Sequence, residues 1–211
     1  MSQKANHARE MHAVMDALGG ERPRLLLHAC CAPCSSSVLE QLCRAFEVTV
    51  LYYNPNIWPP EEYRRRADEL ARFLQTSGGL GAALVEAPYV PEEFARAVRG
   101  LESEPERGGR CTACYRLRME YAARYAARHG FGWFCTTLSV SPHKDAERIN
   151  TIGRQLEERY GVRHLPNDFK KQNGYLRSLQ LSEQYALYRQ EYCGCEYSAQ
   201  GRFAGKESEN G

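Results

Sequence analysis

Seven of the nine cysteines in this chain fall into three short groups. Cys30, Cys31 and Cys34 stand in LLLHACCAPCSSS, Cys111 and Cys114 in RCTAC, and Cys193 and Cys195 in CGC. Thiols so spaced exchange with disulfides or, as thiolates, hold zinc or an iron–sulfur cluster. Cys111 and Cys114 lie three apart at a helix start and so share one face. Gly194 lets the backbone curl between Cys193 and Cys195, so both sulfurs can turn to one centre. Two thiolates from each pair make the four that zinc or an iron–sulfur cluster takes. The CCxxC group adds three more at a helix N-terminus, where the helix dipole favours the thiolate. Cys31-Ala-Pro-Cys34 also has the strand-before, helix-after setting of a thioredoxin-like pair. That chemistry uses two cysteines and leaves five clustered ones idle, and one structural zinc uses four. The count favours a redox metal site with room for more than one metal. Cys43 and Cys135, each alone among apolar residues, read as packing.

The elements that must position these thiols follow from the hydrophobic pattern. RLLLHA (24–29) reads as a short buried strand, and Pro33 suits the first turn of the helix after it. EVTVLYY (47–53), AALVEAP (82–88), GWFCTTL (132–138) and VRHLP (162–166) read as further strands. Helices are expected at 61–77, 91–100, 111–129, 146–160 and 182–192, and a polar loop at NDFKKQNGY (167–175). Alternating strands and helices predict a single α/β domain, Rossmann-like or HUP-like, with a mainly parallel sheet flanked by helices. Residues 1–22 are expected to form an N-terminal helical extension, and 200–211 a flexible tail. In such folds ligands gather at the carboxyl ends of the strands. The CCxxC group, YYNPNIWP and SVSPHKD all fall there.

The 211 residues are 43% hydrophobic and 26% charged, with a net charge of +2. This is the composition of an ordinary globular domain, and the charge alone does not imply nucleic acid. An odd cysteine count in a chain of this length makes a poor disulfide framework. The first twenty residues carry charge throughout, unlike a signal peptide, and no apolar run approaches membrane-spanning length. The expectation is a cytoplasmic protein with reduced thiols and no membrane partner.

Six segments together carry a resemblance: LLLHACCAPCSSSVLEQL, YYNPNIWPPEEYRRR, RCTACYRLRMEYAA, TTLSVSPHKD, DFKKQNGYLRS and LYRQEYCGCEYS. In this order, from about Leu25 to Ser198, they resemble the epoxyqueuosine reductase family of the QueH type. The resemblance implies reduction of the epoxide of epoxyqueuosine, at the wobble position of tRNA, to the cyclopentene of queuosine, the last step of queuosine biosynthesis. It implies a [4Fe-4S] cluster with a further, mononuclear iron nearby, fed by an outside electron donor, and no cobalamin. The cofactor ligands would be Cys30, Cys31, Cys111, Cys114, Cys193 and Cys195, with Cys34 a further metal ligand where some family members carry aspartate. The division of these seven between cluster and second metal stays open.

Within the matching motifs, Tyr52, Tyr53, His143 and Asp168 are candidate proton donors to the leaving oxygen, with Tyr53, His143 and Asp168 the catalytic candidates. Lys144, Lys170, Lys171, Arg177 and Arg189 are candidates to meet phosphates, and Tyr175 or Trp58 to stack an unpaired base. The run Arg64-Arg65-Arg66 reads equally as a solvated helix face paired with Glu61 and Glu62. Two other classes remain open: a thiol–disulfide oxidoreductase on Cys31 and Cys34, and a zinc-bearing RNA-binding module.

Overall fold

Arg24–Ala29 (β1) carries three consecutive leucines and is buried at every position after Arg24, so it is covered on both faces. Leu25, Leu27 and Ala29 pack into one core with Val48, Val50 and Tyr52, and Leu26 packs into a second core with Leu51 and Phe134. Each β1 leucine is fully buried, stabilising the fold by roughly 1.5–3 kcal/mol apiece. β1 is therefore the centre of a parallel sheet. The computed structural model describes residues 5–199. The other strands are β2 (Glu47–Tyr52), β3 (Ala83–Glu86), β4 (Trp133–Thr136) and β5 (Arg163–His164), in the order β3-β2-β1-β4-β5. All four pairings are parallel, with Leu25 opposite Val48 on one side and Trp133 on the other. This is the doubly wound α/β arrangement expected from the sequence.

Helices α2 (Ala32–Leu42) and α3 (Pro60–Leu74) supply the first core with Val38, Leu39 and Leu70. Helices α5 (Gly109–Arg128) and α6 (Ala146–Tyr160) supply the second with Ala122, Ala126 and Ile149. The N-terminal helix α1 (His7–Ala17) is docked on the body: Met11 joins the first core, and His7 Nε2 lies 2.8 Å from a Glu147 carboxylate oxygen. Residues 1–4 and the tail at 200–211 lie outside the described residues.

Two departures from the sequence pattern affect the site. A short 3-10 turn, Thr137–Val140, ends the expected fourth strand at Thr136. The last helix, α7, spans Gly174–Gln184 rather than 182–192. It begins inside the expected polar loop, after Asn173 in the left-handed conformation (φ 65°). It ends before Ala186, also left-handed at φ 48°. Residues 185–192 then run as a non-helical strap toward Cys193. Between β3 and α5 lies the short helix α4 (Pro91–Ala97).

Candidate metal centre

β1 pairs with β2 on one side and β4 on the other, so its carboxyl end is the point where the chain order reverses. Cys30 and Cys31 leave β1 at this crevice, and Cys34 follows in the first turn of α2. The sharp entry into α2 turns the three side chains together. Their sulfurs all lie within 4.8 Å of one another, the one such set of three His, Cys, Asp or Glu ligand atoms among the described residues. Cys30 Sγ is 3.7 Å from Cys31 Sγ and 3.8 Å from Thr137 Oγ1. Asn54 Nδ2 donates to the Ala29 carbonyl at 2.8 Å and pins the strand end. Behind it the buried His28 ring bridges sheet neighbours, with Nδ1 2.8 Å from Thr136 Oγ1 and Nε2 donating to the Tyr53 carbonyl at 3.0 Å. Burial, then the nearby Arg118 charge, push the His28 pKa down to about 4.

The other two groups converge on the same region from α5 and the C-terminal strap. Cys114 and Cys195 pack in one small apolar cluster with Phe94 and Val98. Cys193 accepts a hydrogen bond from Lys144 Nζ at 3.2 Å, and Cys111 accepts one from the Arg107 backbone N–H at 3.2 Å. Cys31 accepts from Gln190 Nε2 at 3.0 Å, which ties the strap to the first group. A cavity of about 1160 Å³ opens over this junction. Cys30, Cys34 and Cys193 line it, with Arg118, His143 and Lys144.

The electrostatics favour a thiolate at Cys30 and at Cys193. Hydrogen bonds from Cys31 and Cys34 hold the Cys30 thiol well below its ordinary value, with help from Arg118 and Lys144. Hydrogen bonding with Cys195 holds Cys193 well below its ordinary value, again with Lys144 and Arg118 contributing. Their partners move the other way: the bond to Cys30 pushes Cys31 up to about 12 and Cys34 well up, and the bond to Cys193 pushes Cys195 up. Burial raises Cys114. A thioredoxin-like pair needs a depressed leading cysteine. Here Cys31, the leading cysteine of that motif, is the raised one, and all nine cysteines are free.

Whether this donor set suits a metal can be tested on its cations. Arg118 is 2% exposed, and no carboxylate lies within ion-pair distance of it among the described residues. Its Nε donates to the Cys114 carbonyl, but its Nη2 has no partner, and Arg66 Nη2 and Gln190 Oε1 are likewise buried and unpartnered. A buried cation without a counter-charge is strongly destabilising. Burial opposes both charges, but the cysteine sulfurs, with the Tyr115 hydroxyl, raise the pKa of Arg118 and Lys144. Clustered sulfurs, two of them held toward the thiolate, beside the buried Arg118 and the half-buried Lys144 and opening on a cavity, fit a thiolate-bound metal centre.

The candidate proton donors separate. His143 lines the cavity, and Arg107 Nη2 donates to its Nδ1 at 3.0 Å. Tyr53 does not line it: its hydroxyl donates to a Glu93 carboxylate and its ring stacks on Tyr121 at 3.8 Å. Asp168 is paired with Lys170 Nζ at 2.5 Å, away from the cavity lining. The buried hydroxyl of Tyr52 donates to the Tyr63 carbonyl at 3.0 Å.

The basic residues are redistributed too. Lys144 lines the cavity and donates to Cys193, and Arg177 forms an ion pair with Glu40 at 2.7 Å. Arg64 pairs with Asp68 and Glu86, and Arg65 lies over the Tyr188 ring at 3.4 Å. Arg66 is 1% exposed, paired with Glu62 at 2.6 Å, and donates to the Cys193 carbonyl. Three consecutive arginines therefore serve three environments, not one solvated face. Arg118 and Gln190 are site residues that sequence reasoning missed. The spacing of Cys111, Cys114 and Arg118, three then four residues, is the one signal that could have put this arginine on the cysteine face.

The family model of epoxyqueuosine reductase QueH matches residues 25–201. Epoxyqueuosine reductase QueH of Streptococcus pyogenes serotype M1 is 43% identical over 203 residues, covering 94% of this chain and 80% of that protein. The Staphylococcus epidermidis protein of the same name is 40% identical, covering 94% and 86%. The one from Haemophilus influenzae is 42% identical, covering 83% and 71%. Among the described residues no helix is long and apolar enough to cross a membrane. A family match over most of the sequence, on a fold that brings its cysteine motifs to one crevice, shows that the chain belongs to the epoxyqueuosine reductase QueH family of oxidoreductases.

Proposed function

We propose that this protein reduces the epoxide of epoxyqueuosine in tRNA to the cyclopentene of queuosine. The balance is two electrons and two protons in, one water out. The observation that carries the reading is the trio of Cys30, Cys31 and Cys34 sulfurs within 4.8 Å at the mouth of the main cavity. Cys30, Cys31, Cys34, Cys111, Cys114, Cys193 and Cys195 would hold a [4Fe-4S] cluster and a further iron. When bound, these supply one-electron transfers from an outside donor and Lewis acidity toward oxygen.

The chain's own residues do the rest. Hydrogen bonding with Cys195, then the charges of Lys144 and Arg118, favour the Cys193 thiolate. Gln190 holds the strap over Cys31. Because Arg107 donates to His143 Nδ1, the neutral ring carries its proton on Nε2, from which it can hydrogen-bond the leaving oxygen while the two protons of the balance come from solvent. The paired hydroxyl of Tyr53 and the paired carboxylate of Asp168 make them weaker donors than His143. Arg107, exposed in the cavity lining, and Lys171, exposed on the surface, would meet RNA phosphates.

The test is to give anaerobically reduced protein a tRNA bearing epoxyqueuosine and weigh the released nucleosides. The expected product is lighter by one oxygen. Unchanged epoxyqueuosine, with protein that carries iron, would refute the reading.

A further inference from the structure

On the other side of the strap that carries Cys193 and Cys195 lies a second, smaller cavity of about 250 Å³. Asn56, Ile57 and Trp58 form one wall, Phe94 on α4 another, and Glu92 and Glu196 its rim. The strap is its partition from the main cavity: Glu196 lines this side, while Cys193, Tyr197 and Ser198 line the other. Two hydrogen bonds fasten the partition, from the Trp58 N–H to the Gly194 carbonyl at 2.8 Å and from the Tyr192 hydroxyl to the Trp58 carbonyl at 2.8 Å.

Two features of this cavity have no structural use. Trp58 is 48% exposed, the bulkiest of the large hydrophobic side chains left in solvent. Asn56 is 2% exposed, yet neither its Oδ1 nor its Nδ2 has a partner. A buried amide with both ends unsatisfied is destabilising unless something else fills its bonds.

We infer that this cavity is a subsite for one unstacked nucleobase of the RNA whose neighbouring nucleotide enters the main cavity. The inference rests on the proposed RNA substrate. A flat indole is a stacking platform for any base, and an amide offers the paired donor and acceptor that reads a base edge. The two rim carboxylates repel phosphate and accept from an exocyclic amino group, which favours a base with such a group over a backbone contact. The volume is below the ~300 Å³ at which pockets for drug-sized ligands begin, which suits a single ring system.

The probe is a short RNA hairpin with the sequence of a tRNA anticodon stem-loop, unmodified, and a set of the same hairpin with one abasic site at each loop position in turn. Affinities are measured by fluorescence anisotropy for the wild type, Trp58→Ala and Trp58→Phe. Stacking on an aromatic predicts that Trp58→Ala weakens the intact hairpin ~10-fold or more, and that Trp58→Phe restores most of it. One abasic position should weaken the wild type comparably and add nothing to the loss in Trp58→Ala, because both remove the same contact. Asn56→Leu should also weaken binding while leaving the melting temperature unchanged or higher, since it removes an unsatisfied buried amide. Tight binding by the wild type with no loss in Trp58→Ala, or a loss that adds equally to every abasic position, would overturn the subsite and leave the RNA substrate standing. No binding of the hairpin by the wild type would overturn both.

Discussion

The two halves of the thiol-rich site are built differently. Cys30, Cys31 and Cys34 come from one strand-to-helix turn, and their mutual placement is fixed by five consecutive residues, two between β1 and α2 and three in the first turn of α2. Cys111, Cys114, Cys193 and Cys195 come from a helix and a late strap more than seventy residues apart in sequence, and are held by outside partners: Lys144 on Cys193, Arg107 on Cys111, and the Phe94–Val98 cluster around Cys114 and Cys195. The lesson is that the first half is preorganised by backbone, whereas the second depends on charge balance and long-range packing. It follows that the first half fails when a ligand is lost, and the second fails also when a cation is lost.

The sharpest break of this contrast is at the first half. Cys30→Ala removes the thiol that both of its neighbours bond, and should abolish bound iron and cut turnover by more than the ~10- to 100-fold that losing an outer partner costs. Retained iron would deny that the trio is a ligand set. Next in size, Lys144→Met should lower iron content or turnover by about 10- to 100-fold through Cys193, although Lys144 is not a ligand. An unaltered iron content and turnover would mean that the second half, too, is held by backbone alone.

A smaller, pH-dependent effect comes from the histidine behind the first half. His28 is neutral when folded, with a pKa near 4 against 6.5 when exposed. Between those values the unfolded chain binds the extra proton, so stability falls as pH falls from 6.5 toward 4. The shift corresponds to about 3 kcal/mol. His164, lowered to about 3 by burial, extends the loss further into acid. Urea melts across this range should follow that slope, and His28→Gln should flatten it between pH 6.5 and 4. An equal slope in both proteins would contradict a buried neutral ring. The smallest effect is at Cys43→Ser, which should leave iron content intact and stability within ~0.5 kcal/mol, because that thiol is half-buried at a helix end away from the site. Iron lost from this variant would merge the isolated cysteines with the clustered ones.

The contrast also explains what could be read from the sequence. A strand of leucines followed by two cysteines and a proline dictates its own geometry, so β1, α2 and the first thiol group were legible, as was the parallel sheet. The start of α7 was not, because it depends on Asn173 adopting a left-handed conformation and on packing against α2. Arg66 and Arg118 were misread or missed for one reason: sequence treats a cation as a surface group until the groups that bury it are known. Tyr53 looked available at a strand end, but only the fold brings Glu93 to its hydroxyl. Gln190 carries no signal at all, since its bond to Cys31 spans 159 residues.

The central claim is that sulfurs from distant segments grip iron at the crevice between β1 and β4. Anaerobic purification followed by metal and sulfide analysis tests it most directly. The account predicts a coloured protein with iron and acid-labile sulfide, both lost in Cys30→Ala and in Cys193→Ala. A colourless protein that binds zinc alone, or iron that survives both substitutions, would contradict it.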